Sequence, residues 1–238
     1  MKVNDIFLTA EWKHLLMLNY SVSPSMLQPF VPAGTEIDSF QGKTYLSLIG
    51  FEFNRTCLAG IPIPFHQSFE EVNVRFYVRR DSKRGVVFIR ELVPKRAVAA
   101  IARWAFNENY HRVPMSHCIK ARPNGEIASA EFTWGSGASR CVMSVETEGP
   151  SCVPSEGSLS QFITEHYWGY AAQEDGGCIE YEVQHPRWPV WSARTAGLSG
   201  NSAAHYPATL AEAFSNPPDS AFLAQGSSVT VFKGKRID

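Results

Sequence analysis

Between Glu71 and Met115 the hydrophobic and polar positions change period twice. Val72, Val74, Phe76 and Val78 alternate with Asn73, Arg75, Tyr77 and Arg79, the two-residue repeat of a strand with one apolar face. Gly85 precedes a second strand over residues 86–93, where Val87, Ile89, Glu91 and Val93 are expected to share a face, so that Glu91 interrupts an apolar stripe. Pro94 suits a first helical position, and Val98, Ile101, Ala102, Ala105 and Phe106 follow with the spacing of a core-facing helix. That helix returns Asn109-Tyr110-His111-Arg112 toward the strands. Charged residues on strands that otherwise read as buried are costly unless they meet partners or a ligand. This stretch is therefore where a site is expected.

The rest of the chain is richer in strands than in helices. Residues 11–19 read as a short helix or an extended lead-in, and Ser23-Pro24 opens a brief helix over 24–30. Residues 44–53 are apolar on both faces apart from Glu52, the pattern of a strand in a covered sheet. Residues 115–121 and 126–134 read as a hairpin through Pro123-Asn124-Gly125, where Asn-Gly signals a type I′ turn. A further strand is expected over 139–146, a loop over 149–158, and a helix over 159–167 opened by a Ser158/Gln161 capping box. A strand over 178–184 runs into the proline-broken aromatic segment 185–191. A helix over 208–214 and a strand over 229–232 close the chain. There is no internal repeat, and the pattern favours one α+β domain with a large, mainly antiparallel sheet.

Composition removes several classes of function. Lysine plus arginine and aspartate plus glutamate balance at 22 and 23, so no electrostatic footprint favours nucleic acid or anionic lipid. The five cysteines are scattered without a CxxC pair, which fits thiols in a reducing cytosol and argues against structural zinc. The first twenty residues lack a signal-peptide core, and no apolar run is long enough to cross a membrane as a helix. The expectation is a cytoplasmic protein. GxGxxG, Walker and G-x-S-x-G sequences are absent, so no cofactor is expected. The histidines show no HxxxH spacing, and no metal is expected.

Arg75 has two readings: a cation on a wet sheet face, or a clamp for a carboxylate inside a barrel. Glu91 reads as a proton-transfer group or as the partner of a structural ion pair with Arg75 or Arg90. His111 and Arg112, on a turn held by rigid elements, read as a neutral imidazole suited to proton transfer and an anion-holding cation, or as structural residues. Glu165-His166-Tyr167 reads as packing at a helix end. Trp188, Trp191 and Phe214 offer an apolar interface for a homo-oligomer.

The segments NYSVSPSMLQPFVPAG, TYLSLIGFEF, FHQSFEEVNVRFYVRR, GVVFIRELVPKRAVAAIARWAFNENYHRVPM, FITEHYWGY and YEVQHPRWPVW, taken in order, resemble a bacterial family of the YqjF type, which is similar in fold to acetoacetate decarboxylase. The resemblance covers nearly the whole chain. It implies a single domain over 1–238, α+β, whose curved, mainly antiparallel sheet closes into a cone or barrel around a central cavity, with a few short helices. Acetoacetate decarboxylase works through a lysine Schiff base placed just after the helix that follows the central strands. The corresponding stretch here, Asn109-Tyr110-His111-Arg112-Val113, holds no lysine, while Lys95 and Lys120 lie elsewhere. The expected function is a lyase-like enzyme acting on a small oxo- or hydroxy-carboxylate without an imine. Glu91 and His111 would move protons, and Arg75, Arg112 and Tyr110 would hold the anion. The alternative is a non-catalytic protein that binds a small anionic molecule in the same cavity.

Overall fold

The computed structural model describes residues 5–62, 67–95 and 109–237, and the helix expected after Pro94 lies outside them. Its strands are β1 (Ile6–Val22), β2 (Glu36–Ile37), β3 (Thr44–Leu58), β4 (Ile61–Pro62), β5 (Phe69–Arg80), β6 (Lys83–Val93), β7 (Tyr110–Arg112), β8 (Met115–Ala121), β9 (Ile127–Trp134), β10 (Cys141–Cys152), β11 (Trp168–Ala172), β12 (Cys178–Gln184), β13 (Val190–Gly200), β14 (Ser220–Phe232) and β15 (Lys235–Ile237). They join in one sheet in the order β15-β12-β11-β6-β5-β3-β1-β14-β13-β10-β9-β8, and β12 pairs additionally with β14. Most pairings are antiparallel; β11 and β7 run parallel to β6.

Residues 11–19 belong to a long strand rather than a helix. From Leu15 to Tyr20 β1 is buried on both faces, as is β3 from Thr44 to Phe51. The reason is that this part of the sheet is covered twice. On one side Leu16, Leu18, Leu48, Val74 and Phe76 pack against Phe132 and Trp134 of β9 and Met143 and Val145 of β10. On the other, Met17, Ile49, Tyr77 and Val93 pack with Phe162, Ile163 and Trp188. Two covered faces leave no room for the polar alternation of a wet sheet.

The helix Leu159–Thr164 delivers this second cover. Ser158 caps it, its Oγ accepting the Gln161 amide at 3.2 Å. Gln161 does not complete a capping box: its side-chain oxygen accepts from the Gly157 amide at 2.7 Å. Phe162 then inserts between Tyr77 and Phe40, with ring centroids 5.2 and 5.5 Å away. The helix ends at Thr164, three residues earlier than the sequence pattern suggests.

Several sequence expectations shift in detail. The hairpin between β8 and β9 is not type I′. Gly125 alone has positive φ, and its amide donates to the Arg122 carbonyl at 2.9 Å, with Pro123 and Asn124 in the central positions. This is a type I turn followed by a left-handed glycine, which suits proline at its second position. The strand β10 continues to Cys152, so the expected loop over 149–158 shortens to the residues before Ser158. β13 starts just after Pro189 and runs eleven residues, where the sequence showed only a broken aromatic segment. The last long strand begins at Ser220 rather than 229. Trp188, Trp191 and Phe214 are buried within the chain, so they offer no exposed apolar interface.

Candidate functional site

A cavity of about 120 Å³ lies against the face of β5 that carries Glu71, Asn73 and Arg75. Residues two apart on a strand point the same way, which aligns these three side chains. Their neighbours in the wall are mainly aromatic, including Trp12, Phe51, Phe53, Phe69, Phe88 and Trp188. Apart from these, the cavity is lined by Glu91, Tyr110, Thr164, His166 and His185 among others. Among the described residues, no lysine lines it.

Glu91 arrives there through a β-bulge. Asn73 pairs with Glu91 and Val74 with Arg90, but Arg75 pairs with Phe88, so Ile89 is an extra residue in β6. An extra residue reverses the in-and-out alternation beyond it. Val87 and Ile89 consequently join the opposite apolar cluster, while Glu91 and Val93 turn to the cavity side. The expectation that Val87, Ile89, Glu91 and Val93 share one face is corrected by this bulge. Glu91 is buried, and parallel pairing with β7 sets Tyr110 beside it.

The polar groups form two poles. At one, Glu71 accepts from the Asn73 amide at 2.9 Å and from the Tyr110 hydroxyl at 3.3 Å. At the other, Arg75 donates through Nη2 to the Ile163 carbonyl at 3.0 Å, and its guanidinium lies 5.6 Å from the Tyr77 ring centroid. Arg75 is only 8% exposed, which removes the reading of a wet sheet face. The two poles are separated by roughly 13 Å along β5, four residues at about 3.3 Å each.

His166 stands at the basic pole. It follows the helix that holds Ile163, and its ring packs on Tyr77 at 4.7 Å and edge-on to Phe162 at 5.5 Å. Burial, reinforced by the Arg84 and Arg75 guanidiniums, holds its imidazole well below the usual histidine range, with the Ile163 carbonyl opposing weakly. His185 stacks on Trp188 at 4.0 Å and is also held low, chiefly by burial. Both rings are therefore neutral near pH 7.

The sequence-derived candidates divide. Arg75, Glu91 and Tyr110 line the cavity together. His111 and Arg112 do not line it: the His111 ring bonds the Asn109 side chain at 2.7 Å, and exposed Arg112 donates to the Pro94 carbonyl at 3.2 Å. Glu71, Asn73, His166 and His185 are cavity residues that sequence reasoning did not select. The alternation along β5 was signal enough for Glu71 and Asn73. Nothing local marked His166, since its place depends on where the helix docks.

A separate charged cluster lies on other residues. His117 of β8 donates from both ring nitrogens, to Glu52 at 3.2 Å and to Glu70 at 2.9 Å, and His14 meets Glu52 at 2.7 Å. Burial pushes the Glu52 carboxyl up, but hydrogen bonds from His117 and His14 outweigh it and hold it at about 2. The same bonds to Glu52 and Glu70 raise His117 to about 10. Among the described residues no group of three or more histidines, cysteines or carboxylates is placed to hold a metal ion.

The chain is similar to a solved structure over its whole length in fold, and to a known relative over 48% of its length in sequence. It is 28% identical over 116 residues to the uncharacterized protein YqjF of Bacillus subtilis (strain 168), a match covering 48% of this chain and 46% of that protein. The chain thus aligns with about half the length of that relative. An acetoacetate decarboxylase-like enzyme from Sphingomonas wittichii RW1 superposes with a TM-score of 0.71 at 13% identity, covering 100% of this chain and 95% of that one. The enduracididine biosynthesis enzyme MppR, solved with pyruvate, gives 0.69 at 12% identity, covering 97% and 90%. These likenesses establish an acetoacetate decarboxylase-like fold. Residues 9–228 match the DUF2071 family, described as uncharacterized conserved protein, and the chain belongs to that family.

Proposed function

We propose that this chain is an enzyme that moves protons on a small oxo- or hydroxy-carboxylate, without a lysine Schiff base. The observation that carries this reading is the meeting of Arg75, Glu91 and Tyr110 in one aromatic-walled cavity. The pairings β12–β11–β6–β5–β3–β1–β14, with β14 returning to β12, fit a sheet closed into a cone around it. An apolar cavity of about 150 Å³ accommodates benzene, so about 120 Å³ suits a ligand of roughly six heavy atoms. Pyruvate, the ligand of MppR, has that size.

In this reading Arg75 anchors the ligand carboxylate, keeping a guanidinium edge beyond the Nη2 that serves Ile163. Glu91, opposite Asn73 and away from that cation, takes and returns a proton. Tyr110, tied to Glu71, orients the reacting end. Aromatic walls exclude water and strengthen each of these contacts. A cavity wall with no lysine among its described residues supports chemistry that does not pass through an imine. His111 and Arg112, beside Tyr110 but outside the lining, make no contact with substrate.

The test is a panel of small carboxylates screened for thermal stabilisation and for turnover, with Glu91→Gln alongside. Stabilisation with turnover that falls about a hundredfold or more in Glu91→Gln supports the assignment. Stabilisation without turnover identifies a binding protein using the same cavity. Turnover unchanged in Glu91→Gln overturns the role given to Glu91.

A further inference from the structure

Apart from Trp12 Nε1 and Thr56 Oγ1, the buried polar atoms of the cavity lining whose capacity no hydrogen bond of good geometry fills among the described residues sit on three residues: Asn73 Oδ1, Arg75 Nε and both ring nitrogens of His166. All three residues are less than 9% exposed and line the cavity. Their chemistry is fixed. Asn73 Oδ1 can only accept, and the amide cannot be turned round, because its Nδ2 already donates to the Glu71 carboxylate. Arg75 Nε can only donate. Neutral His166 offers one donor and one acceptor.

We infer that the cavity selects a small 2-hydroxy-carboxylate over the matching 2-oxo-carboxylate, and that His166 and Asn73 make the selection. This rests on the reading that the cavity binds a small carboxylate anchored by Arg75. A carboxylate supplies acceptors for Arg75 Nε and for the N–H of His166. The wall still presents two acceptors, Asn73 Oδ1 and the bare nitrogen of His166. Only a ligand that also carries a donor can meet them. A hydroxyl does so. An oxo group is itself an acceptor and would face them lone pair to lone pair, leaving buried acceptors unfilled. A site built around a substrate hydroxyl discriminates strongly against the analogue that lacks it, because its own polar groups are then stranded.

His166 is suited to this task by its support. Tyr77 packs on the ring and Phe162 meets it edge-on, which fixes the ring in the cavity wall. The ring is thereby a positioned contact for the ligand rather than a packing residue at a helix end.

The experiment pairs isosteres: both enantiomers of lactate against pyruvate, and 2-hydroxybutyrate against 2-oxobutyrate, titrated calorimetrically into the wild type, His166→Phe and His166→Asn. The expected result is that the hydroxy acid binds at least about tenfold tighter than its oxo partner in each pair, for at least one lactate enantiomer. That preference should collapse in His166→Phe, whose ring fills the same aromatic nest, and recover at least in part in His166→Asn, which keeps one donor and one acceptor. The unliganded melting temperature of each variant shows that it is folded. Oxo acids binding as tightly as hydroxy acids, or a preference unchanged in His166→Phe, overturns the inference and leaves the carboxylate cavity standing. No binding by any of the four acids in folded wild type overturns both.

Discussion

Asn73 of β5 stands directly opposite Glu91 of β6, and two residues along β5 the partner of Arg75 is Phe88, not Ile89. The residue left over decides which side of the sheet Glu91 faces. Without the slip, a strand that places Phe88 at the cavity would bury Glu91 in the cluster of Val87 and Ile89 on the other side.

Deleting Ile89 should therefore regularise the strand while leaving Asn73 opposite Glu91 and Arg75 opposite Phe88. The expected cost is loss of a buried side chain, about 2–5 kcal/mol on the scale of large core truncations, with ligand stabilisation retained. Inserting alanine after Arg90 should turn Glu91 away and abolish ligand stabilisation. Chemical denaturation gives the first quantity and ligand-induced shifts in Tm the second.

Gly169 gives the cavity wall its clearance. A Cβ there would lie 2.1 Å from the ring of Tyr181, a lining residue, and the ring is a stiff neighbour. Gly169→Ala should destabilise by about 1–3 kcal/mol, the cost of overpacking, and weaken ligand binding by forcing Tyr181 into the cavity. A stability change below about 0.5 kcal/mol, the range of ordinary surface substitutions, would show that Tyr181 moves aside freely.

His166 makes a signed pH prediction. Its imidazole is held below the unfolded value, so its contribution to stability is present above about pH 6.5 and is lost as pH falls through the lower folded value. His185 is shifted in the same direction, so the difference between wild type and His166→Phe isolates the one ring. Between pH 7 and pH 5 the melting temperature of wild type should fall more steeply than that of the variant. Parallel profiles would show that His166 charges as readily in the folded protein as in the unfolded one.

The cluster around His117 predicts the opposite behaviour. With its pKa raised to about 10, its contribution is full below about pH 6.5 and is lost as pH rises through about 10. Glu52, lowered to about 2, contributes above about pH 4.5 and loses its part as pH falls through about 2. An NMR titration should find the His117 ring protonated at pH 8 in wild type. In Glu52→Gln it should lose its proton at distinctly lower pH. A ring already neutral at pH 7 in wild type would contradict the hydrogen-bonded cluster.

Much of this arrangement is legible in the chain itself, and the failures have physical causes. The strand Cys178–Gln184 and the helix Ala208–Phe214 coincide with their sequence signals, because period and boundary residues there are local. Alternation along β5 also puts Asn73 and Arg75 on one face. The bulge at Ile89 is not local: it appears only when β6 is paired with β5, so the face of Glu91 could not be read from β6 alone. Prolines masked β13, since Pro189 ends just where the strand begins. His166 was hidden most completely. Flanked by Glu165 and Tyr167, it reads as a helix edge until Phe162 inserts between Tyr77 and Phe40 and carries it inward. His111 carried the stronger local signal, but alternation along β7 gives the cavity Tyr110 instead.

The most direct measurement is calorimetric titration of small 2-hydroxy- and 2-oxo-carboxylates into wild type and Arg75→Met. The expected result is saturable binding of at least one of them at a single site in wild type, weakened by about tenfold or more when the guanidinium is removed from a still-folded protein. Equal affinity in the two proteins, or no binding to wild type, would contradict a carboxylate site at Arg75.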